Sequence, residues 1–118
     1  MKILYINVIE QNAIWGAENF VNKGFISLGH NTINIDYRNN RNKLSSILKK
    51  IADFDVLFLQ RGDRFPLYLL KSCKKPKFFW ATELVSRNRD QDRLLKSNIF
   101  NHVFVHSEAC KQKIIKNN

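Results

Sequence analysis

Short apolar bursts alternate with amphipathic segments along the whole chain. Residues 2–8, KILYINV, form a nearly continuous apolar run rich in β-branched and aromatic side chains, the pattern of a buried strand. IEQNAIW then reads as a polar loop. From Ala17 the apolar positions are Ala17, Phe20, Val21, Phe25 and Leu28, with Gly24 on the same face, a spacing that predicts a helix with one buried stripe. Gly29 supplies a left-handed stop, and His30 falls in the last turn or just beyond it.

The second half of the pattern repeats the first. NTINIDYR alternates, with Ile33, Ile35 and Tyr37 on one face, and reads as a strand; after RNNRN, Leu44, Ile47, Leu48 and Ile51 mark a helix. DVLFLQ is a continuous apolar strand, and Pro66 is pre-set for the first turn of the helix LYLLKSC. KPKFFWA, RDQDRLLKSNI, HVFVH and SEACKQKIIKNN complete the series as strand, helix, strand and a last helix opened by Ser107.

Five strand–helix pairs in strict alternation predict an α/β fold: a three-layer Rossmann-like domain whose five-stranded parallel sheet has helices on both faces. Right-handed crossovers leave few topologies. The expected strand order is 3-2-1-4-5, because the first, third and fourth strands are the most apolar; the flavodoxin-like order 2-1-3-4-5 is the alternative. Residues 1–118 fit one domain.

Composition changes this picture at one point. Apolar residues at 44% and charged residues at 25% are ordinary for a folded domain, but the net charge is +10. Residues 1–60 carry seven Lys/Arg against five Asp/Glu, a balance of +2; residues 61–118 carry thirteen against five, a balance of +8. That asymmetry predicts a basic side that attracts phosphates, anionic headgroups or nucleic acid, or else a solvated face that keeps the chain soluble. With no apolar run long enough to span a bilayer and no secretory leader, a cytoplasmic location is expected, with peripheral contact at an anionic inner membrane surface as an option. Cys73 and Cys110 lack the spacing of a zinc site and read as free thiols, and His30, His102 and His106 do not converge, so no metal is expected.

In sheets of this type ligands bind beyond the carboxyl ends of the strands, which selects the loops IEQNAIWGAEN, RGDRF, TELVSRNRD and HSEA. Gly16 lets backbone approach a ligand, and the amides of Ala17 and Glu18 begin a helix whose dipole suits an anion or a sugar hydroxyl. Equally, Gly16 is a turn and Glu18 a first-turn carboxylate favoured by the same dipole. Arg61, Asp63 and Arg64 surround Gly62, and Arg87 and Arg89 follow the fourth strand; together they suit a phosphate. Thr82 and Glu83 follow that strand directly, Glu83 as a general base toward an acceptor hydroxyl or as a loop carboxylate. His106 and Ser107 close the fifth strand, Ser107 as ligand contact or as helix N-cap. Neither a dinucleotide fingerprint nor a phosphate-binding Walker loop is present.

GAENFVNKGFISLGHNTINIDY resembles the N-terminal segment of family 4 and related GT-B glycosyltransferases, in which a Gly-Gly-Ala-Glu-type turn opens the first long helix and Gly-His leads into the second strand. Gly16, Ala17 and Glu18 match the turn, with Trp15 in place of the first glycine; Gly29 and His30 match the pair. HVFVHSEACKQKII is similar to the last N-domain strand, with Ser107 matching the Ser that ends it, and FDVLFLQRGD to the third strand of the spore-maturation type. Where many members carry a His after the fourth strand, this chain has WATEL.

The resemblance implies the acceptor-binding N-terminal half of a two-domain enzyme. By that implication it has no tightly bound cofactor, takes a nucleotide-diphosphate sugar as co-substrate, needs a C-terminal donor-binding domain as partner, and is inactive without it. The acceptor would be a glycan, a lipid-linked sugar or another hydroxyl compound. Two other classes compete. A receiver-type signalling module needs an acidic cluster after the first strand and an Asp ending the third, where this chain has NVIE and LFLQ. Nucleic-acid binding is motivated by charge alone, since Phe78, Phe79 and Trp80 read as core and not as stacking platforms.

Overall fold

The computed structural model describes residues 1–9, 17–81 and 89–105, with Arg89 and Asp90 described by their backbone alone. The elements run β1 (Lys2–Asn7), α1 (Ala17–Ser27), β2 (Asn31–Asp36), a 3-10 turn (Arg41–Lys43), α2 (Leu44–Lys50), β3 (Val56–Gln60), α3 (Leu67–Ser72), β4 (Lys77–Trp80), α4 (Arg89–Leu95) and β5 (His102–Phe104). The last helix expected from the sequence, over residues 107–118, lies outside the described residues.

All four strand pairings are parallel, in the order β2-β1-β3-β4-β5. The fold is therefore the expected α/β parallel sheet, but in the 2-1-3-4-5 order and not 3-2-1-4-5. The physical reason lies in the apolar content used to rank the strands. The order 3-2-1-4-5 would put the third strand at a rim, yet four of its five residues, Val56, Leu57, Leu59 and Gln60, are buried. β2, which alternates and buries only its last two residues, belongs at the rim instead. β3 becomes the central strand, with β1 and β4 beside it.

Side chains divide between two faces with the strand period of two. Leu4, Ile6, Leu57, Leu59, Phe79 and Ile35 point to the face covered by α2, α3 and α4, where Leu44, Leu70 and Leu94 meet them. Ile3, Tyr5 and Val56 point to the other face, where Val21 and Phe25 of α1 cover them. Tyr5, Phe25 and Phe58 there form a mutual edge-to-face triad with centroids 5.4–5.7 Å apart.

α1 ends as its glycine predicted. Gly29 has φ +89, its N–H donates to Ile26 O at 3.0 Å, and the His30 N–H reaches back to Phe25 O at 3.1 Å, the paired bonds of a Schellman stop. The buried stripe of α1 differs from the expected one. Phe20 and Leu28 are 60% and 75% exposed, whereas Glu18, Val21, Asn22 and Phe25 face the sheet. Two of those four inward positions are polar, so a reading of apolar residues alone rotates the helix away from its true inner face. Asn22 Oδ1 accepts from Thr32 Oγ1 at 2.6 Å and Asn34 Nδ2 at 3.0 Å, and Asn34 Oδ1 accepts from Asn7 Nδ2 at 3.2 Å. This network joins α1 to β2 and β1 by hydrogen bonds where a core would use methyl groups.

Candidate functional site

The winding of the sheet reverses between β1 and β3, because the chain leaves β1 toward the α1 face and leaves β3 toward the α3 face. Adjacent parallel strands whose exits diverge leave a crevice at their carboxyl ends. In the order 3-2-1-4-5 this crevice would open between the first and fourth strands; in the observed order it opens between the first and third. Each of these two strands ends in a buried amide side chain: Asn7 and Gln60, one residue beyond the Ile6–Leu59 pair.

Asn7 Oδ1 accepts the N–H of Ile9 at 3.0 Å, turning the chain out of β1. Gln60 Oε1 accepts the Tyr5 hydroxyl. Burial pushes the Tyr5 phenol above its ordinary pKa, and the nearby charge of Glu18 acts in the same direction, so the hydroxyl stays protonated and serves as a donor.

Glu18, in the first turn of α1, is 1% exposed. A buried carboxylate is costly unless compensated; here the positive end of an 11-residue helix and the Arg61 guanidinium supply the compensation. Arg61 Nε lies 3.4 Å from Glu18 Oε1, yet neither atom has a hydrogen-bond partner among the described residues. The pair is held by charge and proximity while one acceptor and one donor stay unused. Arg61 is held there by backbone: its φ is +70, and its N–H donates to Trp80 O at 3.2 Å. A left-handed arginine followed by left-handed Gly62, φ +78, swings the chain across the end of β3.

Asp63 is committed differently. Its Oδ1 accepts from Tyr37 Oη at 3.0 Å and its Oδ2 from Arg38 Nη2 at 2.8 Å, fastening the loop after β3 to the end of β2. Burial alone would raise its pKa, but the hydrogen bonds from Arg38 and Tyr37 and the charge of Arg38 hold it below the usual carboxylate range. Tyr37 is pushed up, first by burial and then by Asp63. Asp36 Oδ1 accepts the N–H groups of Arg38 and Asn39 at 3.0 and 3.1 Å, which sets the turn that presents Arg38.

Of the residues expected at the site, Glu18 and Arg61 are brought together, Ala17 stands exposed beside them, and Asp63 ties two loops. Gly16, Thr82, Glu83, His106 and Ser107 lie outside the described residues. Sequence reasoning missed Asn7, Gln60, Tyr5, Tyr37 and Arg38. A signal existed for the first two: each is the one amide side chain in an otherwise apolar strand, and each falls at that strand's carboxyl end. Among the described residues no helix is long and apolar enough to cross a membrane, and no three His, Cys, Asp or Glu side chains group as a metal site. Comparison of the chain with models of protein families, with curated proteins and with solved structures gives no match. The functional reading therefore rests on the chain itself.

Proposed function

We propose that this chain is the acceptor-binding domain of a nucleotide-sugar-dependent glycosyltransferase, taking a hydroxyl-bearing glycan or lipid-linked acceptor and working with a separate donor-binding domain. The observation that carries the reading is the Glu18–Arg61 pair at the β1/β3 crevice. A hydroxyl is the smallest group that donates to a carboxylate oxygen and accepts from a guanidinium N–H at once. Bridging Glu18 Oε1 and Arg61 Nε from one side, it would satisfy both atoms, which lack hydrogen-bond partners among the described residues. Those two residues stand in the segments, GAEN and FLQRGD, that carry the resemblance to GT-B enzymes.

The strand order is compatible with that reading. A Rossmann sheet of order 3-2-1-4-5-6, without its outermost third strand and renumbered, becomes 2-1-3-4-5, with the first strand still beside the switch point. The same order is also that of receiver domains, but Asp63, the acid nearest the end of β3, is already engaged by Tyr37 and Arg38.

The test uses this chain joined to whatever follows Asn118 in its gene, with release of nucleoside diphosphate followed over a panel of nucleotide sugars and acceptors. Expected are acceptor-dependent release and a loss of about tenfold or more in kcat/KM for Glu18→Gln, with folding stability within about 1 kcal/mol of wild type because Gln removes the buried charge while the Arg61 side chain, 35% exposed, stays in contact with water. A gene that encodes no second domain, or full activity in Glu18→Gln, would remove the proposal.

A further inference from the structure

At the opposite end of the sheet from Glu18, α2 and α3 part to leave a cavity of about 420 Å³. That is within the ~300–1,000 Å³ typical of small-molecule sites. Its floor is Leu4 and Leu57 of the sheet, and its walls are Leu48, Phe54 and Leu69. An apolar floor and walls of this kind gain by burying an apolar occupant.

The rim has the opposite character. Lys49, Lys74 and Lys75 line it and are exposed, and among the described residues no acidic side chain lines it. Asp53 and Asp55 flank Phe54: Asp53 is bound to Lys2 Nζ at 2.5 Å, with the charge of Lys75 also helping to hold its pKa down, and Asp55 Oδ2 accepts the Lys2 N–H at 2.7 Å. The lysine-bearing turn is held in place before any ligand arrives. Lys77 Nζ donates to Cys73 O at 2.6 Å and Lys75 O at 3.3 Å, and the Leu57 N–H donates to Pro76 O at 2.9 Å. α2 and α3 point their C-terminal ends this way, so their backbone dipoles repel an anion and the ammonium groups must supply the attraction.

We infer that this cavity binds a linear amphiphile with an anionic head, a fatty carboxylate whose chain lies between α2 and α3 and whose head meets Lys49, Lys74 and Lys75. The occupant follows from two requirements met together: an apolar floor and walls that suit an alkyl chain, and a preformed lysine-rich mouth that suits an anionic head. This is a second site, independent of the crevice at Glu18.

Calorimetric titration with laurate, and separately with lauryl alcohol, tests it on the whole chain. Expected is saturable one-to-one laurate binding, weakened about tenfold by the triple substitution Lys49→Gln, Lys74→Gln, Lys75→Gln. Lauryl alcohol should bind wild type and triple variant alike, and Ser45→Phe, which plugs the cavity from the half-buried side of α2, should remove both ligands. In a Cys110→Ser background, laurate should also slow alkylation of Cys73, a half-buried free thiol in the cavity wall. Circular dichroism of each variant is the control for folding. Laurate binding that persists in Ser45→Phe or is unchanged in the triple variant overturns the inference. So does adsorption to phosphatidylglycerol vesicles without any laurate isotherm, which would assign the lysines to bulk charge attraction.

Discussion

Gly62 is the residue at which the crevice tolerates least change. A methyl group on it would lie 2.6 Å from Leu94 Cδ1 and 2.9 Å from Leu59 Cδ2, and its φ of +78 disfavours any side chain. Leu59 and Leu94 are fully buried, so neither can turn away into solvent. Gly62→Ala is expected to cost about 2 kcal/mol, read as a lower urea midpoint at unchanged m-value. Asp63 makes a pH prediction. Because its folded-state pKa is depressed, the stability it contributes is full above the unfolded carboxylate value of about 4 and is lost as pH falls through the folded value. Wild type should therefore lose stability below about pH 4 more steeply than Asp63→Asn, measured by thermal unfolding across that range. At this scale the sequence was partly legible. Glu18 and Arg61 could be chosen because loops after strands are where ligands meet such sheets. Tyr37 could not, because it ends an alternating run and carries no mark to separate a buried donor from core packing.

Among the elements, α1 is the one whose sequence misleads. Its inner face is half polar, and its packing rests on Val21 and Phe25 together with the Asn22–Thr32–Asn34–Asn7 network. Phe25 meets Tyr5 edge-to-face at 5.6 Å and Phe58 at 5.4 Å. Phe25→Ala should cost about 3 kcal/mol by chemical denaturation, while Phe20→Ala, at a position 60% exposed, should stay within about 0.5 kcal/mol. An equal cost at the two positions would restore the helix orientation expected from apolar spacing. Helix starts and stops were legible where backbone chemistry sets them, as at Gly29 and Pro66. The last helix of the described chain ends sooner than its periodicity suggests: α4 stops at Leu95, and Asn98, at φ +58, takes the left-handed position that closes it. Asn fills that role less visibly than glycine does.

For the whole molecule, alternation of strands and helices carried the α/β class, and apolar content carried which strands are central. Strand order needed one more step, the recognition that burial on both sides excludes a rim position for VLFLQ. Of the three lysines at the cavity between α2 and α3, the basic half of the chain supplies two, Lys74 and Lys75, and Lys49 comes from the more neutral half. The turn from Arg38 to Lys43 at the β2 rim tolerates added length. A short Gly-Ser insertion between Asn42 and Lys43, both exposed, should cost about 1 kcal/mol or less by thermal unfolding, whereas the same insertion between Arg61 and Gly62 should cost several times more. The outer edge of β2 therefore has a developmental meaning. Its peptide groups on the side away from β1 meet no other strand among the described residues, and extra polypeptide spliced in after Asp36 could lay a further strand there, widening the sheet while the Glu18–Arg61 crevice, two strands inward, is left untouched.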